Sequence, residues 1–296
     1  MISSKNINEI NQLALLNSRL PVDIDGKQLL AHMKKYPFYG FVDITPPGGG
    51  GFVMINLNDC AVSAKIFYTG RFSYEPGSLA IWRKLCIKSD TIVDCGAYTG
   101  IYSLVGASVN RGAYIFAFEP VSFIRERLSK NAIINNCTKI KVHPCALGYG
   151  SEIVDLNIPF GPGMFSSGTS IVNGKKSNTI ELIKIDSYDN LNLPPPDLIK
   201  IDAEGAEDLV LQGMKKSFIK KPFILCEVLG RREPDSLLKF LPDDYQYIFV
   251  KEKGKKVLTN DFSEWRTSGG LNVIYYHLEK RFELTEYLAD GFDPVI

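Results

Sequence analysis

The 296-residue sequence contains no Cys-x-x-Cys pair, and its six cysteines are accompanied by only three histidines, His32, His143 and His277. A structural zinc set has no ligand spacing to start from. Reduced thiols are therefore expected at Cys60, Cys86, Cys95, Cys137, Cys145 and Cys226, several of them inside apolar strand-like runs. Charge of one sign is also missing, since 34 Lys and Arg stand against 33 Asp and Glu. That balance supplies no basic field for non-specific nucleic-acid binding. No apolar run approaches the roughly 18 residues of a membrane span, and Met1 to Asn11 is polar with no signal core. A cytoplasmic chain without membrane partners is expected. The Gly-x-Gly-x-x-Gly element that cradles a pyrophosphate is absent as well.

What is present is ordinary globular composition, with 45% hydrophobic and 23% charged residues. The length fits one main domain with an appendage. Helical patterns through Ile7, Ile10, Leu13 and Leu16 and through Leu29, Leu30 and Met33 precede two extended runs, Gly40 to Thr45 and Gly51 to Leu57. Residues 1–75 thus read as an α+β accessory cap, and 76–296 as the main domain, opening on a helix near Ser78.

From Thr91 onward, short apolar runs alternate with helical patterns. The strand candidates are Thr91 to Asp94, Ala113 to Glu119, Ile140 to Pro144, Leu198 to Asp202 and Phe223 to Glu227. Helices fit at Ile101 to Val109, Phe123 to Asn135, Ala206 to Phe218 and Pro234 to Phe240. This alternation predicts an α/β fold with a mostly parallel sheet and crossover helices. Two late strands, Tyr245 to Lys251 and Asn272 to Leu278, have no good helix between them and predict a terminal antiparallel pair. An inserted hairpin is expected near 153–185, with a Gly- and Ser-rich tip from Pro159 to Asn178 that reads equally as a binding loop or a plain surface tip.

Four strand ends carry the candidate chemistry. The first strand ends in Asp94 and runs through Gly96, Ala97 and Tyr98 to Gly100 before a helix, the pattern of a crevice at the carboxyl edge of a parallel sheet. Glu119, followed by Pro120, closes the second strand, where a carboxylate can accept hydrogen bonds from both hydroxyls of a ribose. Together they predict a nucleoside pocket. After the third strand, Cys145, Ala146 and Leu147 form a small apolar turn beside which an adenine ring could lie, and His143 reads better as packing than as a catalyst. The fourth strand carries Lys200 among apolar residues and then crowds Asp202, Glu204 and Glu207 into one turn. A lysine in such a strand must pair to be buried, and concentrated titratable groups at that edge point to an active site. Glu207 fits a helix start better than a catalyst.

The elements Asp94-Cys-Gly-Ala-Tyr-Thr-Gly100, Ala117-Phe-Glu-Pro120, Ala146-Leu-Gly148 and above all Ile199-Lys-Ile-Asp-Ala-Glu-Gly-Ala-Glu207 resemble the FkbM family of S-adenosylmethionine-dependent methyltransferases. The resemblance runs from about Tyr74-Glu-Pro76 to Glu227. It implies a class I methyltransferase, Rossmann-like fold with a seven-stranded sheet, and S-adenosylmethionine as cofactor with S-adenosylhomocysteine as product. Family members usually carry a small apolar residue in place of Cys95 and often Asn in place of Tyr98. The cofactor is expected at Asp94, Gly96, Ala97, Tyr98, Gly100, Glu119, Pro120, Cys145, Ala146, Leu147 and Asp202. In-line methyl transfer demands alignment and, for a hydroxyl or amide acceptor, a proton acceptor. Asp202 is placed nearest the methyl donor, either in the chemistry or on the cofactor's amino group, with Glu204 or Glu227 as proton acceptor and Lys200 tuning them. A divalent metal on Asp202 and its neighbours is conceivable chemically, but no complete ligand set is visible.

The acceptor favoured by the resemblance is a small-molecule hydroxyl, on a sugar, polyketide or other secondary metabolite, with a peptide side-chain nitrogen second. Rival readings are a nicotinamide-dependent oxidoreductase, which lacks its glycine motif here, and a nucleoside-binding protein without catalysis. Phe38, Tyr39, Phe67, Tyr68, Phe72 and Tyr74 read as core packing or, second, as an acceptor pocket.

Overall fold

The computed structural model describes residues 4–158, 179–228, 233–254 and 257–284. The chain begins with helices α1 (Ser4–Leu16) and α2 (Gly26–Lys35), a two-stranded antiparallel ribbon of β1 (Gly40–Ile44) and β2 (Phe52–Asn56), and helix α3 (Ala61–Thr69). Asp25 caps α2, accepting from the backbone N–H groups of Lys27 and Gln28, and the helix buries Leu29 and Met33 on one face. The sheet-and-helix alternation then starts with α4 (Pro76–Ile87), β3 (Thr91–Cys95), α5 (Ile101–Val109), β4 (Tyr114–Phe118), α6 (Ser122–Ile134) and β5 (Ile140–His143).

Next come β6 (Cys145–Leu147) and the hairpin of β7 (Glu152–Ile158) and β8 (Thr179–Asp186). Then follow β9 (Leu198–Ile201), α7 (Glu207–Gln212), β10 (Phe223–Glu227), α8 (Asp235–Leu238), β11 (Tyr245–Val250), β12 (Leu258–Thr259), α9 (Phe262–Thr267) and β13 (Asn272–His277). The main sheet has the order β12-β11-β13-β10-β9-β3-β4-β5. It is an α/β, Rossmann-like sheet, parallel from β10 to β5. Strand β13 runs antiparallel to both β10 and β11, which is the terminal antiparallel arrangement anticipated from the sequence. The seven expected strands are joined by an eighth of two residues, β12, at the edge.

Strand β3 is buried along its whole length, because both faces of a parallel sheet are covered. Successive side chains point to opposite faces: Ile92 joins the core under α4, α5 and the N-terminal elements, and Val93 joins the core beneath α7 and α9. The first of these cores is continuous from Ala14, Leu29, Met33 and Tyr68 to Leu104 and Ile115. The N-terminal elements, from Ala14 to Tyr68, are thus packed into the same apolar interior as the sheet. Arg127 of α6 fastens them from outside with a bidentate pair to Asp59, both contacts at 2.9 Å.

Four local expectations change. The helix predicted at Ala206 to Phe218 is the six-residue α7 followed by a 3₁₀ segment, Lys215–Lys220, and the one predicted at Pro234 to Phe240 shortens to α8. Helix α9 and β12 occupy the stretch between the two late strands where no helix was expected. Cys145 to Leu147 is a strand rather than a turn, pairing in parallel with β8, so the hairpin forms a separate three-stranded sheet with it. The Gly- and Ser-rich tip, 159–178, lies outside the described residues.

Candidate functional site

Strands β3, β4 and β9 all end at one edge, and the turns that follow them meet there. Gly96 adopts φ 74°, and a Cβ on it would stand 1.8 Å from the backbone oxygen of Asp202. Glycine is thus required by the close approach of two chain segments. The N–H groups of Gly96 and Ala97 both turn inward, donating to the Phe118 carbonyl at 3.1 and 3.0 Å, and Asp202 N–H donates to Cys95 O at 3.0 Å. The turn is locked by its own backbone. Gly100, at φ 97°, starts α5 against Leu128.

Beyond this edge lies a cavity of about 800 Å³. Gly96, Tyr98, Glu119, Pro120, Ala146, Leu147, Asp202 and Glu204 line it, together with Cys95. Among the residues proposed from the sequence, Asp94, Ala97, Gly100, Cys145, Lys200 and Glu227 do not line it. All six are buried. Asp94 is buried and accepts from Ser103 Oγ of α5 at 2.6 Å. Cys145 is buried in β6, with its thiol pushed up to about 11 by burial.

The walls include residues the sequence did not single out. Val154, Leu156, Ile183 and Ile185 come from the hairpin, Ala61 and Val62 from α3, and Leu209 from α7. The alternation of apolar residues along both hairpin strands was a usable signal. Of the six aromatic residues considered, Tyr74 lines the cavity, while Phe38 and Phe67 stack on each other at 3.9 Å and Tyr68 is fully buried. His143 stacks on Phe118 at 4.8 Å, and burial lowers its affinity for a proton.

Glu119 is the most enclosed carboxyl on the cavity wall. Its Oε2 accepts from Tyr98 N–H at 3.0 Å and its Oε1 from Val121 N–H at 2.9 Å. Burial pushes the carboxyl up to about 8, despite those two backbone donors. Each oxygen retains a further lone pair for a ligand hydroxyl.

At the other acidic turn, Glu204 is half-buried, and burial together with Asp202 and Glu207 raises it to about 7. Glu207 is spoken for locally, accepting from Gly205 N–H at 2.8 Å. Lys200 is fully buried. Desolvation works to lower its pKa, but the neighbouring acidic side chains of Asp202, Glu75 and Glu227 prevail and hold it above the ordinary lysine value. Its Nζ lies 3.1 Å from Asn272 Oδ1, 3.3 Å from Ile201 O and 3.6 Å from Asp202 Oδ2, and 4.8 Å from the centre of the Tyr102 ring. Glu227 is buried and hydrogen-bonded to Asp202, and burial first, then Asp202, moves its carboxyl well above the usual range. Among the described residues, no three His, Cys, Asp or Glu side chains converge so as to hold a metal ion.

Backbone strain gathers at the same place. Tyr98, Glu204 and Glu75 have φ of 51°, 49° and 40°, left-handed values that are uncommon outside glycine and asparagine. Such strain concentrates at functional sites.

The model of the methyltransferase FkbM domain matches residues 94–257. The chain belongs to the FkbM methyltransferase family. It is 28% identical over 157 residues to hexuronic acid methyltransferase AglP of Haloferax volcanii. That match covers 53% of this chain and 63% of AglP, so the chain spans somewhat less than two thirds of this curated relative. A methyltransferase FkbM from Methylobacillus flagellatus KT superposes with a TM-score of 0.43 at 23% identity, covering 63% of this chain and 43% of that one. The precorrin-6y C5,15-methyltransferase of Geobacter metallireducens GS-15 gives 0.41 at 13% identity, covering 70% and 90%. The matched span, 94–257, contains Gly96, Glu119, Asp202, Glu204 and Glu227.

Proposed function

We propose that this chain transfers a methyl group from S-adenosylmethionine to an oxygen of a small hydroxylated molecule. The observation that carries the proposal is the convergence of Glu119, the Gly96 turn and Asp202 on one cavity in a chain of the FkbM family. The fit to the cofactor rests on three features. Glu119 offers unused lone pairs at a buried wall position, and Pro120, Ala146, Leu147 and Gly148 give a small apolar wall for a planar base. No phosphate cradle is required of a cofactor that has no phosphate, and the inward-bonded Gly96 and Ala97 N–H groups supply none.

When bound, the cofactor supplies an electrophilic methyl group carried on a sulfonium sulfur. Glu119 then accepts from the ribose hydroxyls, and Tyr98 holds the Glu119 carboxyl by its N–H. Asp202, on the cavity wall, would hold the cationic amino-acid end of the cofactor. Glu204, near 7, is matched to accept the acceptor hydroxyl's proton at neutral pH as the new carbon–oxygen bond forms. Lys200 and Glu227 act behind Asp202. Residues 1–75 serve as a cap, with Ala61 and Val62 forming the acceptor wall beside Tyr74.

An oxygen acceptor is favoured because a hexuronic acid, the substrate class in the name of AglP, offers no other kind of nucleophile. The direct test is mass spectrometry of uronic acids, neutral glycosides and amide-bearing peptides incubated with methyl-labelled cofactor. Label in an O-methyl group supports the proposal, and label confined to peptide nitrogen refutes it.

A further inference from the structure

Glu75 precedes α4 in the position of its N-cap, yet its side chain makes no capping bond. Capping is done from a distance by Glu252, whose carboxylate accepts from the N–H groups of Gly77 and Ser78 at 2.8 and 3.3 Å. The left-handed backbone at Glu75, φ 40°, would be easier for Asn or Gly. Neither helix capping nor local conformation explains a glutamate here.

Its carboxylate instead turns inward. Oε2 accepts from the Tyr102 hydroxyl and, at 3.3 Å, from Asn272 Nδ2. The other end of the Asn272 amide, Oδ1, accepts from Lys200 at 3.1 Å. An amide with a carboxylate on its NH₂ and an ammonium on its oxygen has one consistent orientation. The chain Tyr102, Glu75, Asn272, Lys200, Asp202 is therefore continuous from α5 to the cavity wall. Glu227 joins it through its hydrogen bond to Asp202.

We propose that Glu75 is a positioning residue which, through Asn272 and Lys200, fixes which of the paired carboxyls bears the proton. Glu227 is then the acid that donates to Asp202, and Asp202 is the carboxylate presented to the cavity. This inference rests on the methyltransferase reading for its purpose, though not for its geometry. One ammonium stands among several carboxyls, so not all of them can be anionic at once. Among the described residues, the charged or titratable groups acting on Glu227, Asp202 and Lys200 include Glu75, Tyr74, Asp94, Cys95, Glu204, Cys226 and, through its ring, Tyr102, while Glu252 acts on Glu75 and Glu207 on Glu204. Removing the Glu75 charge withdraws the anion that opposes ionisation of Glu227.

The test is carboxyl-carbon NMR of protein labelled at Glu side chains, with the Glu227 signal assigned by its loss in Glu227→Gln. Glu75→Gln keeps an oxygen for Tyr102 and Asn272 but removes the charge, and is expected to lower the Glu227 ionisation midpoint by about one pH unit. Glu75→Asp, which keeps the charge, is expected to hold it near the wild-type value. An unmoved midpoint in folded Glu75→Gln overturns the proposal, because a merely structural role would alter melting and leave the midpoint in place. If Glu75→Gln does not fold, Glu227→Gln carries the test. An amide still donates to Asp202, so wild-type melting at neutral pH is expected, and a fall of several degrees would mark Glu227 as an anion and overturn the proposal. Calorimetry with S-adenosylhomocysteine on the wild type separates the two readings: no binding removes the methyltransferase reading while the NMR midpoint stays measurable.

Discussion

Replacing Glu119 by glutamine perturbs a carboxyl whose two oxygens are each held by a backbone N–H, from Tyr98 at 3.0 Å and Val121 at 2.9 Å. Glutamine has one acceptor oxygen, so one of those N–H groups must face an amide NH₂. A buried donor left unsatisfied costs about 1–3 kcal/mol of stability. Above about pH 8, where the carboxyl is ionised, the substitution also removes a charged acceptor for ligand hydroxyls, a loss of about 1.5–3 kcal/mol in binding, or roughly 10- to 100-fold in affinity for S-adenosylhomocysteine.

The pH dependence has a definite sign. The folded value, about 8, lies above the ordinary 4.5, so between them the native state holds a proton that the unfolded chain has lost. Glu119's contribution is therefore fully present below about pH 4.5 and declines, by about 1.4 kcal/mol per pH unit, until pH passes 8. Ligand affinity runs the other way and rises towards pH 8, because the anion is the better acceptor. Both slopes should flatten in Glu119→Gln. Calorimetry and thermal denaturation from about pH 6 to about pH 9 measure them. Affinity within about threefold of wild type, with unchanged slopes, would refute the role assigned to Glu119.

Other substitutions test the remaining parts of the site. Gly96→Ala should destabilise the fold by about 3 kcal/mol or more, seen as a lower melting temperature, because its Cβ would meet Asp202 O at 1.8 Å. Lys200→Met leaves the Asp202 and Glu227 pair without its buried ammonium and should cost about 3–5 kcal/mol, seen as a lower melting temperature. Asp202→Asn and Glu204→Gln should each cut methyl transfer at least tenfold while a true proton acceptor's loss leaves S-adenosylhomocysteine affinity intact. Unchanged turnover in both would remove them from the chemistry.

The central strands were legible because a parallel sheet covered on both faces writes itself as unbroken apolar runs, such as Thr91 to Cys95. Glu119 and Asp202 were legible because each follows such a run directly. Helix α3 was hidden: Val62, Ser63, Ala64, Ile66, Tyr68 and Thr69 are all buried, so no polar stripe marks its period. Gly96 was legible as the turn after the first strand, whereas the close approach of the Asp202 backbone that its missing Cβ admits lies about a hundred residues away and left no local signal. Glu75 meets Asn272 across 197 residues of sequence and Ser78 meets Glu252 across 174. Pairings at that separation leave no trace in local periodicity. The hairpin wall was visible as two strands, but its docking onto Cys145 to Leu147 depended on a parallel pairing that no turn signal announces.

The most direct measurement is titration calorimetry of the wild-type chain with S-adenosylhomocysteine and with NAD, repeated on Glu119→Ala. The site described here predicts one molecule of S-adenosylhomocysteine bound per chain, at least about tenfold weaker binding in the variant, and no binding of NAD. Binding of NAD without S-adenosylhomocysteine, or S-adenosylhomocysteine binding indifferent to Glu119, would contradict it.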